Sequence, residues 1–307
     1  MKELVFGHKN PDTDAIVAAK AYSFLLNQLG LDTEAVALGE PNDETKFVLN
    51  HFSEPYPRII SEAGAETKEV VLVDHNEAQQ SVDDISDLTV THVIDHHRIA
   101  NFATAAPLYY HAEPVGCCST IIFKEFKQRG VEIPQNLAGL MLSAIISDTL
   151  LFKSPTTTDV DVAVGKKLAE IAGVDYEEYG LAMLKAGTNL ATKTAEELVT
   201  SDAKSFEMGG KTVRVDQVNT VDLAEVFARE DELRSAIEAQ NKDNGYDLFI
   251  LMVTNILDSN TRLLAIGAGQ DIVETAFGHG LENDKMDLPG VVSRKKQVVP
   301  PLEKAFE

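Results

Sequence analysis

Four short apolar runs in the first 115 residues constrain this chain more than any other feature. Leu4-Val5-Phe6, Ala35-Val36-Ala37-Leu38, Val70-Val71-Leu72-Val73 and Val90-Thr91-His92-Val93-Ile94 are brief and largely continuous, as strands buried on both faces should be. Between the first two, residues 15–29 place Ile16, Ala19, Phe24 and Leu25 on helical spacing and stop at Gly30, so they read as a helix. A strand, a helix and a strand in this order predict an α/β fold with a parallel sheet wrapped by helices. Leu108-Tyr109-Tyr110 adds a further strand, and residues 119–129, 135–152, 160–172 and 175–185 read as more helices.

From Gly187 the pattern loosens into the polar stretch Thr188-Asn189-Leu190-Ala191-Thr192-Lys193-Thr194, which reads as a linker. The expected organisation is a domain over residues 1–187, a hinge over 188–194 and a smaller α/β domain over 195–307. In the second domain, residues 204–215 read as two strands about the Gly209-Gly210 turn and 221–239 as one long helix. Residues 248–253 and 263–267 read as two more strands. The formal charge of -22 is spread over both halves, so general nucleic-acid binding would need a strong local basic patch. No run reaches the roughly 18 apolar residues of a spanning helix, and the start lacks a leader pattern, so a cytoplasmic protein with no membrane partner is expected. Cys117 and Cys118 are adjacent, unsuited to bridging each other, and read as buried small hydrophobes.

Three of the four early strands end in residue types that ligate metals. After the first comes Gly7-His8-Lys9-Asn10-Pro11-Asp12-Thr13-Asp14, after the third Asp74-His75-Asn76-Glu77, and after the fourth Asp95-His96-His97-Arg98. The carboxyl ends of parallel strands lie along one edge, where ligands bind, so these segments converge. Asp148 adds a carboxylate near the end of an apolar helical stretch, where burial is costly unless it is paired. Taken singly, Asp12 and Asp14 read equally well as helix caps and Asp74 as a loop cap, while His75 and His92 read as supporting or exposed residues. Together, histidine and several carboxylates suit a borderline cation such as Mn²⁺, in numbers that suggest two ions.

These segments, with Ser147-Asp148-Thr149, resemble the four N-terminal motifs of the DHH phosphoesterase superfamily. Ser293-Arg294-Lys295-Lys296-Gln297 resembles the C-terminal signature of its manganese-dependent, family II inorganic pyrophosphatases. Residues 186–195 leave no room for the nucleotide-sensing insertion that some relatives carry. The resemblance implies a catalytic domain followed by a DHHA2-type domain, with the active site in the cleft between them. It implies that His8 and Asp12 bind one metal, that Asp14, His96 and Asp148 bind another, and that Asp74 bridges both. His97 is then a substrate-contacting residue, and Lys204, Arg294 and Lys295 grip pyrophosphate.

The implied reaction is hydrolysis of pyrophosphate to two orthophosphates by a hydroxide held between two Mn²⁺ per subunit. Co²⁺ is an acceptable substitute, and Mg²⁺ arrives with the substrate. A homodimer through the N-terminal domain is also implied, with no nucleic-acid partner. Two alternatives are a DHH-type oligonucleotide or cyclic-dinucleotide phosphodiesterase, of whose glycine-rich C-terminal motif Gly278-His279-Gly280 is only a faint echo, and a non-catalytic metal- or phosphate-sensing module.

Overall fold

The computed structural model describes residues 2–307, which divide into two compact units at Gly187/Thr188. The first holds β1 (Glu3–Phe6), α1 (Thr13–Gln28), β2 (Thr33–Ala35), α2 (Asp43–His51), β3 (Glu69–Val73), β4 (Thr89–Asp95) and β5 (Tyr109–Ala112). Then follow α3 (Cys118–Arg129), α4 (Gln135–Thr149), α5 (Asp159–Ala172) and α6 (Tyr176–Thr188), the last ending at the division. Its sheet runs β2-β1-β3-β4-β5 with every pair parallel, the α/β architecture expected. The chain leaves β1 toward β2 and returns on the other side as β3. The strand order therefore reverses beside β1, where a parallel sheet opens a crevice at its carboxyl edge. Leu4, Phe6, Val70, Leu72 and Val93 form the core on one face of the sheet. Helices α1 and α4 are apolar around most of their circumference and pack together in the interior.

Gly7 brings the amino end of α1 against β1. A Cβ there would lie 2.6 Å from the Ala15 Cβ and 2.7 Å from its backbone, so only glycine admits this approach. Gly7→Ala should therefore destabilise the metal-free protein by about 1–3 kcal/mol, read as a lower denaturant midpoint with unchanged slope.

Several boundaries differ from the sequence reading. Helix α1 starts at Thr13 because the Asp12 side chain accepts the Ala15 amide at 3.0 Å. Helix α4 ends at Thr149, not 152, because Leu150, Leu151 and Phe152 adopt left-handed φ of 47°, 56° and 65°. Such a run in bulky residues is strained and persists only where packing holds it. Leu151 fits against Gly180 and Phe152 against Gly165, both positions with no space for a Cβ. Strand β2 stops at Ala35, and Ala37 makes only an isolated bridge to Ile59.

The second unit begins with a short turn, Leu190–Thr192, in which Leu190 is buried in that unit's core. It continues through α7 (Ala195–Leu198), β6 (Ala203–Met208), β7 (Lys211–Thr220), α8 (Leu223–Phe227), α9 (Glu230–Asn244), β8 (Leu248–Asn255) and β9 (Asn260–Gly267). After α10 (Gln270–Phe277) and β10 (Lys285–Pro289), a π-helical turn at Arg294–Val298 leads into α11 (Val299–Phe306). The sheet runs β10-β9-β8-β7-β6, with only the β7/β8 pair parallel. The helix expected over 221–239 is two helices. The break falls at Arg229, whose guanidinium donates to the Lys193 carbonyl at 2.7 Å and to Glu232. Among the described residues no helix is long and apolar enough to cross a membrane.

Candidate metal centre and anion pocket

Two histidines present the same ring nitrogen to the crevice. His8 Nδ1 donates to the Lys9 carbonyl at 2.9 Å and His96 Nδ1 to the Val115 carbonyl at 3.1 Å. Each Nε2 is thereby left as the site-facing atom, the arrangement of an oriented metal ligand. Between them lies Asp74, buried at the end of β3 with a left-handed φ of 59°. One Asp74 oxygen lies 3.1 Å from His96 Nε2 and the other 3.5 Å from His8 Nε2. The strained backbone thus belongs to the residue whose two oxygens face two different imidazoles.

The remaining carboxylates surround this pair. Asp12 lies 3.6 Å from His8 Nε2 while its other oxygen caps α1, so the capping and ligand readings are compatible. Asp14 is fully buried and accepts from the Cys118 amide at 2.7 Å, the Ser119 amide at 3.2 Å and the Ser119 hydroxyl at 2.8 Å. It therefore stands at the amino end of α3, where an anion is stabilised. Asp148 Oδ2 lies 4.0 Å from His96 Nε2. Ligating atoms fall within 4.8 Å of one another in the groups His8-Asp12-Asp74, Asp74-His96-His97 and Asp14-Cys117-Asp148.

The charge balance of the cluster is unfavourable as it stands. Burial and the neighbouring Asp74 push Asp14 up to about 6, and burial with Asp14, Asp74 and Asp12 pushes Asp148 well above the carboxylate range. Burial alone would lower His8, yet Asp12 and Asp74 outweigh it and raise the imidazole to about 11. His96, also opposed by burial, is raised by Asp74 to about 9. Carboxylates that repel one another and imidazoles that hold protons describe a site short of positive charge, and hard oxygen donors with two imidazoles fit divalent transition ions.

His97 faces this cluster from the half-exposed side, its ring centroid 4.2 Å from that of His96. Asp95 accepts its Nδ1 proton at 2.9 Å and its amide at 3.1 Å, raising its pKa despite burial. Asp95 is in turn fixed by Asn76 Nδ2 at 2.6 Å, and Asn76 also bonds the Arg98 carbonyl and the Ala100 amide. A cavity of about 460 Å³ is lined by Asp12, Asp74, His96, His97 and Asp148.

The second unit carries its own pocket. A cavity of about 610 Å³ is lined by Lys204 from β6, Arg294 and Lys295 from the π-helical turn, and the polar Gln217, Asn219 and Thr254. Lys204 and Lys295 are exposed. Arg294 is buried and already engaged: it donates to the Asp202 carbonyl, to Asp202 Oδ1 at 2.9 Å and to the Val215 carbonyl at 3.4 Å. Asp216 holds the Asp202 amide at 3.0 Å from beneath. The pocket is thus cationic with one paired acid on its rim.

The supporting residues Asp95, Asn76, Ser119 and Asp202 were not singled out from sequence. Asp95 and Asn76 lie inside motifs of the sequence, but only the hydrogen bonds show that Asp95 supports the His97 ring and Asn76 supports Asp95. Cys117 and Cys118 are both buried and free; Cys117 also borders Asp14 and Asp148. His75 is buried, donates to the Val73 carbonyl at 2.9 Å, and burial lowers it to about 4.

Comparison with known proteins places both units. Residues 2–145 match the DHH family N-terminal domain and residues 181–305 the DHHA2 domain. A probable manganese-dependent inorganic pyrophosphatase of Lactiplantibacillus plantarum is 66% identical over 305 residues, 99% of each chain. One from Enterococcus faecalis is 60% identical, again over 99% of each. The chain belongs to the manganese-dependent, family II inorganic pyrophosphatases. The crystal structure of another candidate member, from Methanococcus jannaschii, is 41% identical with a TM-score of 0.61, covering 100% of this chain and 99% of that one. Membership extends over both units, so the metal-type cluster and the cationic pocket belong to one family architecture.

Proposed function

We propose that this protein hydrolyses inorganic pyrophosphate to two orthophosphates. Two Mn²⁺ per subunit would be held by His8, Asp12, Asp14, Asp74, His96 and Asp148, with Asp74 shared between them. The observation that carries this reading is the Asp74 carboxylate, whose separate oxygens face His8 and His96 amid three further acids. A bound divalent pair would neutralise phosphate charge and make water a nucleophile at neutral pH.

Attack of water on one phosphorus forms a new P–O bond as the bond to the bridging oxygen breaks, so the leaving phosphate must accept charge or a proton. His97, its Nδ1 committed to Asp95, is oriented to offer its other nitrogen to a phosphate oxygen or the leaving group. Lys204, Arg294 and Lys295 would supply cationic charge to the substrate, Arg294 as a planar fork and the lysines as point charges. Mg²⁺ arriving with pyrophosphate would add to that compensation. In the same reading residues 188–194 act as a hinge, and the protein is a cytoplasmic homodimer formed through the first unit.

The test offers pyrophosphate, a dinucleotide and nitrophenyl phosphate to the Mn²⁺-loaded protein and compares turnover. Pyrophosphate should dominate by orders of magnitude, and preference for either other compound would overturn the reading. Chelation should abolish activity, and Mn²⁺ or Co²⁺ should restore it better than Mg²⁺ alone, because imidazole ligands favour transition ions. Full recovery in Mg²⁺ after rigorous stripping would remove His8 and His96 from the ligand set.

A further inference from the structure

Glu44 lies in the first turn of α2 and belongs to none of the motifs above. Its Oε1 accepts two hydroxyl protons, from Thr13 at 2.7 Å and from Ser147 at 2.5 Å. Thr13 is fully buried and stands between Asp12 and Asp14; Ser147 immediately precedes Asp148. One carboxylate oxygen therefore joins the start of α1 to the end of α4, segments far apart in sequence that each carry proposed metal ligands. The two hydroxyls it holds belong to the immediate chain neighbours of Asp12, Asp14 and Asp148, so the shared bond fixes the two segments that present those acids.

We propose that Glu44 is a positioning residue of the metal centre, setting the separation of Asp12 and Asp14 from Asp148 through its shared bonds to Thr13 and Ser147. The inference rests on the proposed reading of those acids as metal ligands. Residues that orient ligands typically change metal affinity by about ten- to a hundredfold when removed. Glu44 touches no proposed ligand atom in the hydrogen bonds described, so its effect passes through the two hydroxyls.

The test is a Mn²⁺ titration of stripped protein followed by electron paramagnetic resonance, with the melting temperature of each apo variant measured alongside. Wild type should take up two ions. Glu44→Leu, similar in bulk but without an acceptor, should weaken Mn²⁺ binding by about ten- to a hundredfold. Glu44→Gln keeps one oxygen that can accept both hydroxyls and should recover most of the affinity. Ser147→Ala should weaken binding in the same direction and add nothing in the Glu44→Leu background, and it carries the test should Glu44→Leu fail to fold. Unchanged affinity in both Glu44→Leu and Ser147→Ala, or a Gln variant as impaired as Leu, would overturn the positioning role while leaving the metal centre standing. A wild-type protein that bound no Mn²⁺ would overturn the metal centre itself, and the positioning role with it.

Discussion

Asp74→Asn should remove hydrolysis more completely than Asp12→Asn and should lower bound Mn²⁺ with it. The two Asp74 oxygens face the two imidazoles, so one neutral amide would weaken both proposed coordination spheres, whereas Asp12 faces only one of the two imidazoles, His8. The amide also replaces a carboxylate oxygen by a donor nitrogen, which has no lone pair to offer a cation. Asparagine tolerates the left-handed φ of 59°, so the backbone should hold and the loss should be chemical, not structural. Mn²⁺ content and orthophosphate release, measured side by side, check this; near-normal activity with two bound ions would end the bridging assignment.

The second large effect is expected in the other unit. Arg294→Ala, like Lys204→Ala, should leave the Mn²⁺ content at its wild-type value yet cripple turnover of pyrophosphate. Neither side chain belongs to the metal cluster, and a charge-assisted bond is worth about 1.5–3 kcal/mol, roughly ten- to a hundredfold in rate. Arg294 should show the greater loss. Removing it also leaves the Asp202 carboxylate unpaired on the pocket rim, an added repulsion toward any phosphate. Its bonds to the Asp202 and Val215 carbonyls predict some loss of stability too, to be separated by thermal unfolding. A lysine at 294 should rescue only partly, because an ammonium cannot reproduce the fork. Loss of metal in either variant, or unchanged kcat/KM with metal retained, would refute the assignment.

Strands β1, β3 and β4 were legible because buried parallel strands announce themselves as unbroken apolar runs, whereas the run at 35–38 meets β2 only at Ala35. The short helix α2 was not, since Asp43–His51 is mostly polar and too brief for a clear period, and with it Glu44 escaped notice. The last third of the second unit, beyond Gly267, was equally opaque: α10, β10 and α11 are each eight residues or fewer. The end of α4 was misjudged for a different reason. Nothing in Leu150-Leu151-Phe152 advertises left-handed backbone; the glycines that make room for those side chains lie at 165 and 180, in other helices. Within the candidate metal cluster the residue types could be read locally, whereas an atom that aims one of them, the Val115 carbonyl beneath His96, comes from a tertiary neighbour that no spacing rule reaches.

The parallel order β2-β1-β3-β4-β5 also bears on how the chain reaches its native state. Leu4 pairs with Val70, so joining β1 to β3 closes a long loop before any hydrogen bond rewards it, and Asp148 comes from a helix still further along. His8, Asp74 and Asp148 are therefore strangers until the first unit is nearly complete. Refolding of that unit should be slow compared with the local β6/β7 hairpin of the second. A cation could not nucleate the process by gathering the proposed ligand set early, so capture of one would act as a late checkpoint on correct folding.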